Sequence, residues 1–207
     1  MKVETIRTVP LEGQKPGTSG LRKKTRVFMQ SNYLENFIQS TFDAIGGAGG
    51  KTFVVGGDGR FFNAQAIQII IKMACANDAA RIIVGRDGLL STPAASHLIR
   101  KNGADGGLIL SASHNPGGID QDFGVKFNGA NGGPATETLS AKIYDATLTI
   151  AAYHLADTGD VDLQGIGIVH LDNMEIHIVD PVESYLALME QLFDFTAIRA
   201  LFAGGFT

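Results

Sequence analysis

A single cysteine, Cys75, lies in the apolar run Ile67–Ala76 of this chain. No disulfide can form within the chain, and the sequence fits a reducing compartment. Cys75 reads as a small core residue, because apolar surroundings raise a thiol's pKa and blunt its reactivity. An excess of positive charge is also lacking: 17 Lys and Arg face 21 Asp and Glu, for a formal net charge of −4. That balance argues against a nucleic-acid surface. The one basic run, Arg22-Lys23-Lys24 with Arg26, reads as a solvated turn. No apolar stretch approaches the ~20 residues needed to cross a membrane. Lys2, Glu4, Arg7 and Glu12 leave no apolar core for a leader peptide. The expectation is a cytoplasmic protein with neither membrane nor nucleic acid as partner; oligomeric state is unknown at this level.

Hydrophobic residues make up 44% of the chain and charged residues 18%, which suits a folded domain. At 207 residues there is room for one generous domain, or for one domain and a fragment. The first thirty residues are polar and read as irregular. Asn32 with Glu35 has the spacing of a capping box, and Leu34, Phe37, Ile38, Phe42 and Ile45 recur at helical spacing. A strand is expected at Thr52–Val55, then a helix capped by Asn63, a second strand at Arg81–Val84, and a helix opened by Thr92-Pro93 and closed by Gly103. Gly107–Leu110 is the third strand. This alternation implies a three-layer α/β/α domain around a mostly parallel, mixed sheet.

After Pro134 an amphipathic helix is expected to run to about Ala152, then an acidic loop, then a hairpin or edge strands over 165–179. Asp180-Pro181-Val182-Glu183 combines an N-cap, an N1 proline and an N3 glutamate. The domain is expected to span residues 1–192. Residues 193–207 read as a linker and the opening strand of a second, truncated domain.

Ligands of such sheets sit beyond the carboxyl ends of the strands, and there the chain places Ser111-Ala-Ser113-His114-Asn-Pro-Gly-Gly118. The loop displays Ser113 at the end of a buried strand, as a nucleophile or phosphate carrier requires. Serine hydrolysis fits poorly. No Gly-x-Ser-x-Gly elbow surrounds Ser113, and nothing aims His97, His154, His170 or His177 at it. Phosphate chemistry fits better. The turn offers backbone N–H groups and close-approach glycines, while Arg22 and Lys126 could supply fixed positive charge. Asp120 and Asp122 read as a solvated acidic loop rather than metal ligands.

The loop, followed by Asp122-Phe-Gly-Val-Lys126-Phe-Asn, resembles the active-serine loop of the α-D-phosphohexomutase superfamily. Gln14–Lys23, Val55–Phe61, Leu90–Ala94, Ile99–Lys101 and Asn131–Pro134 match the family's motifs in order and spacing. The likeness covers nearly the whole chain and is nearest to the glucose-phosphate branch. It implies the first domain of a phosphohexomutase-type architecture, and interconversion of glucose 1-phosphate and glucose 6-phosphate through phospho-Ser113, with glucose 1,6-bisphosphate as intermediate and activator. A phosphoserine oxygen would ligate Mg²⁺. Lys126 would be a general acid/base and His114 would hydrogen-bond within the site. Arg22, Thr18, Ser19 and Arg60 would form the substrate-binding side, with small sugar phosphates as partners. The family's aspartate-rich metal loop is missing from these 207 residues, as are its sugar loop and C-terminal phosphate site. The chain alone is therefore expected to be inactive. A sibling mutase for mannose or amino-sugar phosphates, and a non-catalytic phosphoprotein that keeps the fold, are the alternatives.

Overall fold

The computed structural model describes residues 1–205. The chain runs β1 (Val3–Arg7), β2 (Leu21–Lys24), α1 (Thr25–Phe28), α2 (Tyr33–Ala44), β3 (Thr52–Gly57), α3 (Asn63–Ala76), β4 (Arg81–Leu89), α4 (Thr92–Asn102) and β5 (Gly106–Leu110). It continues with β6 (Asp122–Gly129), α5 (Glu137–Thr147), β7 (Ala152–Ala156), β8 (Gly167–Leu171), β9 (Met174–Val179), α6 (Glu183–Leu192) and α7 (Phe195–Ala203).

Seven strands form one sheet in the order β2-β6-β5-β3-β4-β9-β8. The central four, β5-β3-β4-β9, are parallel. Antiparallel pairs close both sides, β2-β6-β5 on one and β9-β8 on the other. β1 and β7 make a separate antiparallel pair. The period-2 alternation of strand side chains feeds both layers. Val54, Ile83 and Ile109 pack with Ala94, Ala95, Leu98 and Ile99 of α4. Phe53, Val55, Ile82, Val84, Leu108 and Leu110 pack with Phe37 and Phe42 of α2 and Ile67, Ile70 and Ile71 of α3. Full burial of each such side chain stabilises the fold by roughly 1.5–3 kcal/mol. The expected three-layer architecture is present.

Local chemistry accounts for most helix ends. Ser91 Oγ accepts the N–H of Ala94 (3.3 Å) at the start of α4, and Gly103 at φ 58° ends it. Asp180 Oδ1 accepts the N–H groups of Val182 and Glu183 ahead of α6. Two expected caps are absent. Asn32 precedes α2 in a left-handed conformation without a side-chain cap, because its Oδ1 accepts the Tyr153 hydroxyl (3.0 Å). Asn63 is the first helical residue of α3, and its Nδ2 donates to the Gly88 carbonyl (3.3 Å). Tertiary partners took these side chains from the local role.

Other expectations are corrected as well. The polar first thirty residues hold β1, β2 and α1. Arg22-Lys23-Lys24 is strand rather than turn, because β6 supplies its backbone partners. The helix after Pro134 is capped by Thr136 and stops at Thr147, and β7 begins at Ala152. Residues 195–203 form α7, not a strand, with the Asp194 side chain accepting from Ala197 N–H.

Candidate active site

β5 ends at Leu110 beside the end of β3 at Gly57, so the turns that follow them meet at the carboxyl edge of the sheet. Asp58 N–H donates to the Leu110 carbonyl (3.0 Å), and Ser111 N–H donates to Gly124 of β6 (2.9 Å). Between these anchors the chain turns outward and exposes Ser113. Ser113 sits at φ 59°, a left-handed conformation that costs a non-glycine residue on the order of 1 kcal/mol. Surrounding bonds hold it there. Ser113 N–H donates to Ser111 Oγ (3.0 Å), and Asn115 N–H closes the turn on the Ala112 carbonyl (3.2 Å). Asn115 Nδ2 donates to Asp122 Oδ2 (2.5 Å), and Asp122 N–H donates to the Pro116 carbonyl (3.2 Å). His114 is exposed, with Nδ1 3.4 Å from Ser113 Oγ.

Arg60 is the central tie. Its side chain is 6% exposed. Nε and Nη2 grip the Asp58 carboxylate at 2.9 and 2.7 Å, Nη1 donates to the Asp122 carbonyl (2.6 Å), and Nη2 reaches the Ser113 carbonyl (3.2 Å). One guanidinium thus joins the β3 turn, the serine loop and β6. Burial alone would raise the Asp58 carboxyl. Its bonds to Arg60 and Ser111, with the Arg60 charge, outweigh burial and hold it below the usual carboxylate range.

Lys126 and Arg22 come from the antiparallel side of the sheet. Arg22 of β2 pairs with Gly124, and Lys126 of β6 pairs with Ile109. Arg22 is exposed and Lys126 half-buried. Burial pushes the Lys126 amine below its ordinary pKa, and the charges of Arg22 and Arg60 push the same way against Asp58. A glycine is required at 124: a Cβ there would lie 2.4 Å from the Ser111 carbonyl oxygen.

Thr18 and Ser19 form the exposed tip of a tight turn closed by Gly17 N–H to Gly20 O (2.9 Å) and Gly20 N–H to Gly17 O (3.2 Å). Gly20 has φ +90°, and a Cβ there would sit 2.3 Å from the Val125 carbonyl oxygen. The turn is therefore seated directly on β6 beside Lys126. A pocket of about 140 Å³ opens behind it, lined by Thr18, Ser19, Lys126, Phe127, Asn128 and Ile143 among others.

The acidic loop is not simply solvated. Asp120 pairs with Arg26, and Asp122 with Lys24 at 2.8 Å. These bonds, joined at Asp122 by Asn115, hold both carboxyls below their usual range. Among the described residues no group of three His, Cys, Asp or Glu could hold a metal ion. An octahedral Mg²⁺ needs several oxygens, so the residues present do not by themselves fit that ion.

The sequence reading passed over Asp58, Ser111, Asn115 and Gly124, all of which shape the loop. Each stands inside a motif already singled out. The missing signal was spatial, since their partners lie on other strands.

The fold and site define an α/β/α domain that presents a tethered serine at the carboxyl edge of a parallel sheet, with an arginine and a lysine on the adjoining antiparallel strands. Residues 13–154 match the family described as phosphoglucomutase/phosphomannomutase, alpha/beta/alpha domain I, and the chain belongs to that family. It is 55% identical over 204 residues to a phosphoglucomutase of Rhizobium radiobacter, covering 99% of this chain and 38% of that protein. A phosphoglucomutase of Schizosaccharomyces pombe is 52% identical, covering 96% of this chain and 36% of the relative. The crystal structure of the exocytosis-sensitive phosphoprotein and phosphoglucomutase parafusin from Paramecium superposes with a TM-score of 0.91 at 44% identity, over 97% of this chain and 38% of that one. The chain thus spans little more than a third of the relatives' length.

Proposed function

We propose that this chain is the active-serine domain of a phosphoglucomutase, residues 1–192, with 193–207 a linker and the start of a second domain. The observation that carries the reading is the tethered, outward-facing Ser113 beside a half-buried Lys126 whose amine is pushed down in pKa. Similarity to phosphoglucomutases at 55% and 52% identity supports the glucose-type reading. A putative phosphomannomutase of Thermus thermophilus stands further off, at 25% identity and a TM-score of 0.61 over 87% of this chain and 36% of that one.

In this proposal Ser113 carries the phosphoryl group. Its P–Oγ bond breaks as a P–O bond forms to the free hydroxyl of glucose 1-phosphate or glucose 6-phosphate. Lys126 takes the hydroxyl proton, and Ser113 Oγ regains one. Glucose 1,6-bisphosphate results, and it returns its other phosphoryl group to Ser113. A lysine with lowered pKa suits this role, because a general base must hold a neutral fraction near the working pH. Arg22 offsets charge on the transferring group, where positioned cations contribute most. Thr18 and Ser19 offer hydroxyls to the sugar phosphate, and His114 steadies Ser113 Oγ. Arg60 serves the substrate indirectly, because its Nε, Nη1 and Nη2 already hold the loop. A phosphoserine oxygen would give Mg²⁺ one ligand, and the ion would neutralise phosphoryl charge. Sugar phosphates as partners and a cytoplasmic setting complete the proposal. No helix among the described residues is long and apolar enough to cross a membrane.

Intact mass spectrometry of the full-length enzyme to which this domain belongs, isolated from its own cells, tests this. One phosphate on Ser113, lost on addition of glucose 6-phosphate, is expected. An unmodified Ser113, or a phosphate indifferent to the sugar, would overturn it.

A further inference from the structure

The Thr18–Ser19 turn is supported from two sides. Gly20 seats it on β6, and the arm that precedes it lies against the start of α2. Between Glu12 and Ser19 only Gln14 is buried, at 1% exposure. Its Nε2 donates to the Tyr33 carbonyl (2.5 Å), and the Tyr33 hydroxyl donates back to the Gly13 carbonyl (3.2 Å). Asn36, further along α2, donates from Nδ2 to the Val9 carbonyl (2.9 Å). Burial pushes the Tyr33 phenol up to about 12, so it stays a donor at neutral pH. Gln14 and Tyr33 thus clasp the arm in both directions just before the turn.

Packing does not account for Gln14. Its Oε1 meets no donor among the described residues, and a buried amide left half-paired costs stability that a methionine of similar length would not. What the glutamine adds is the bond from Nε2.

Tyr33 also reaches toward the other half of the site. Its ring meets Phe28 edge-on (5.5 Å between centres), Phe28 meets Phe123 (5.0 Å), and Phe123 meets Phe62 (5.4 Å). Phe123 stands between Asp122 and Gly124, whose carbonyls accept from Arg60 and Ser111. A close-packed interior transmits displacement rather than absorbing it. One side chain therefore touches both the arm that carries Thr18 and Ser19 and the aromatic row that ends at the anchors of the serine loop.

We propose that Tyr33 and Gln14 are positioning residues: their reciprocal clasp fixes the Thr18–Ser19 turn relative to Ser113, and so sets how tightly a sugar phosphate is held. The effect on substrate rests on Thr18 and Ser19 contacting it, as proposed above; the effect on the turn does not.

The test uses the full-length enzyme carrying Tyr33→Phe or Gln14→Met, with Ile83→Val as a control in the separate core layer packed on α4. Hydrogen exchange read by mass spectrometry should quicken about tenfold at residues 15–20 in the first two variants and stay unchanged at residues 106–111. Ile83→Val should leave residues 15–20 unchanged. KM for glucose 1-phosphate should rise about three- to tenfold in the clasp variants, with kcat and the phosphate on Ser113 within about twofold of the parent, as loss of a uniformly bound contact requires. Exchange at 15–20 that does not change, or that Ile83→Val raises equally, would overturn the proposal. So would faster exchange with an unchanged KM in an active enzyme. A full-length parent without glucose 1-phosphate turnover would instead overturn the function proposed above, and the exchange result would still decide whether the clasp holds the turn.

Discussion

Replacing Arg60 measures how much the serine loop depends on one guanidinium. Arg60→Ala removes a bidentate grip on Asp58, a short bond to the Asp122 carbonyl and a longer one to the Ser113 carbonyl. Hydrogen bonds to charged groups contribute ~1.5–3 kcal/mol each, but they do not add simply. Asp58 is 31% exposed and regains water once released. Taking the Asp58 pair at ~2 kcal/mol, the Asp122 bond at ~1.5 and little from the 3.2 Å bond gives about 3–4 kcal/mol. A domain stable by ~5–15 kcal/mol survives that loss in most of this range. Arg60→Lys keeps the charge but can occupy only part of the fork, so about half the loss should return. Urea unfolding followed by circular dichroism measures both variants, with an unchanged slope as the sign that only stability moved. In the glucose 1-phosphate assay of the active enzyme the same pair should lower kcat, by about 100-fold for Ala, with little change in KM. An Arg60→Ala protein within ~1 kcal/mol of the parent, well below the hydrogen-bond estimate, would refute the reasoning. So would a KM-only defect, since that would make Arg60 a substrate contact.

Arg22→Gln removes a charge that pushes the Lys126 amine down, so the Lys126 pKa rises. If Lys126 is the base, the acid limb of the kcat/KM profile must then move to higher pH; a limb that stays put would exclude the pair. Gly124→Ala brings a Cβ to 2.4 Å from the Ser111 carbonyl; it should destabilise the fold by ~1–3 kcal/mol and lower Ser113 phosphorylation, read by urea unfolding and intact mass. Asp58 has a folded pKa below its unfolded value, so its contribution is present above the unfolded pKa and lost as pH falls through the folded one. Acid unfolding should therefore be less steep in Asp58→Asn, and an unchanged profile would count against the Arg60 pairing. Ser91→Ala deletes the cap of α4; a loss of ~0.5–1 kcal/mol is expected because the 3.3 Å bond is long.

The strands and helices most legible in the sequence were those with strong local signals. Val54 and Val55 face opposite layers, and the run Thr52–Val55 already announced a strand buried on both sides. Thr92-Pro93 and Gly103, at φ 58°, marked the two ends of α4, although the cap is Ser91 and Pro93 is the second helical residue rather than the first. The failures share a cause. Asn32 and Asn63 have the chemistry of caps, but Tyr153 and Gly88 offered them partners about 121 and 25 residues away. Arg22-Lys23-Lys24 has no apolar alternation, and it became strand only because β6 presents a free edge to it. Long-range pairing of that kind leaves no mark in a window of ten residues.

The site divides along the same line. The display of Ser113 at the end of a buried strand was legible from the apolar run before it, while His114 and Lys126 were singled out only through the family resemblance. Asp58, Ser111 and Gly124 were not, because each acts through an atom on another element: Arg60, the Ser113 N–H and the Ser111 carbonyl in turn. That difference has a physical consequence. The left-handed Ser113 is disfavoured by its own backbone and by the exposure of its loop. It persists only because bonds from β3, β5 and β6 converge on it. A reactive serine on a free loop would sample many geometries, and transfer of a phosphoryl group depends mostly on alignment and on placed charge. The residues that supply the alignment are therefore as necessary as the hydroxyl, although only the fold brings them to it.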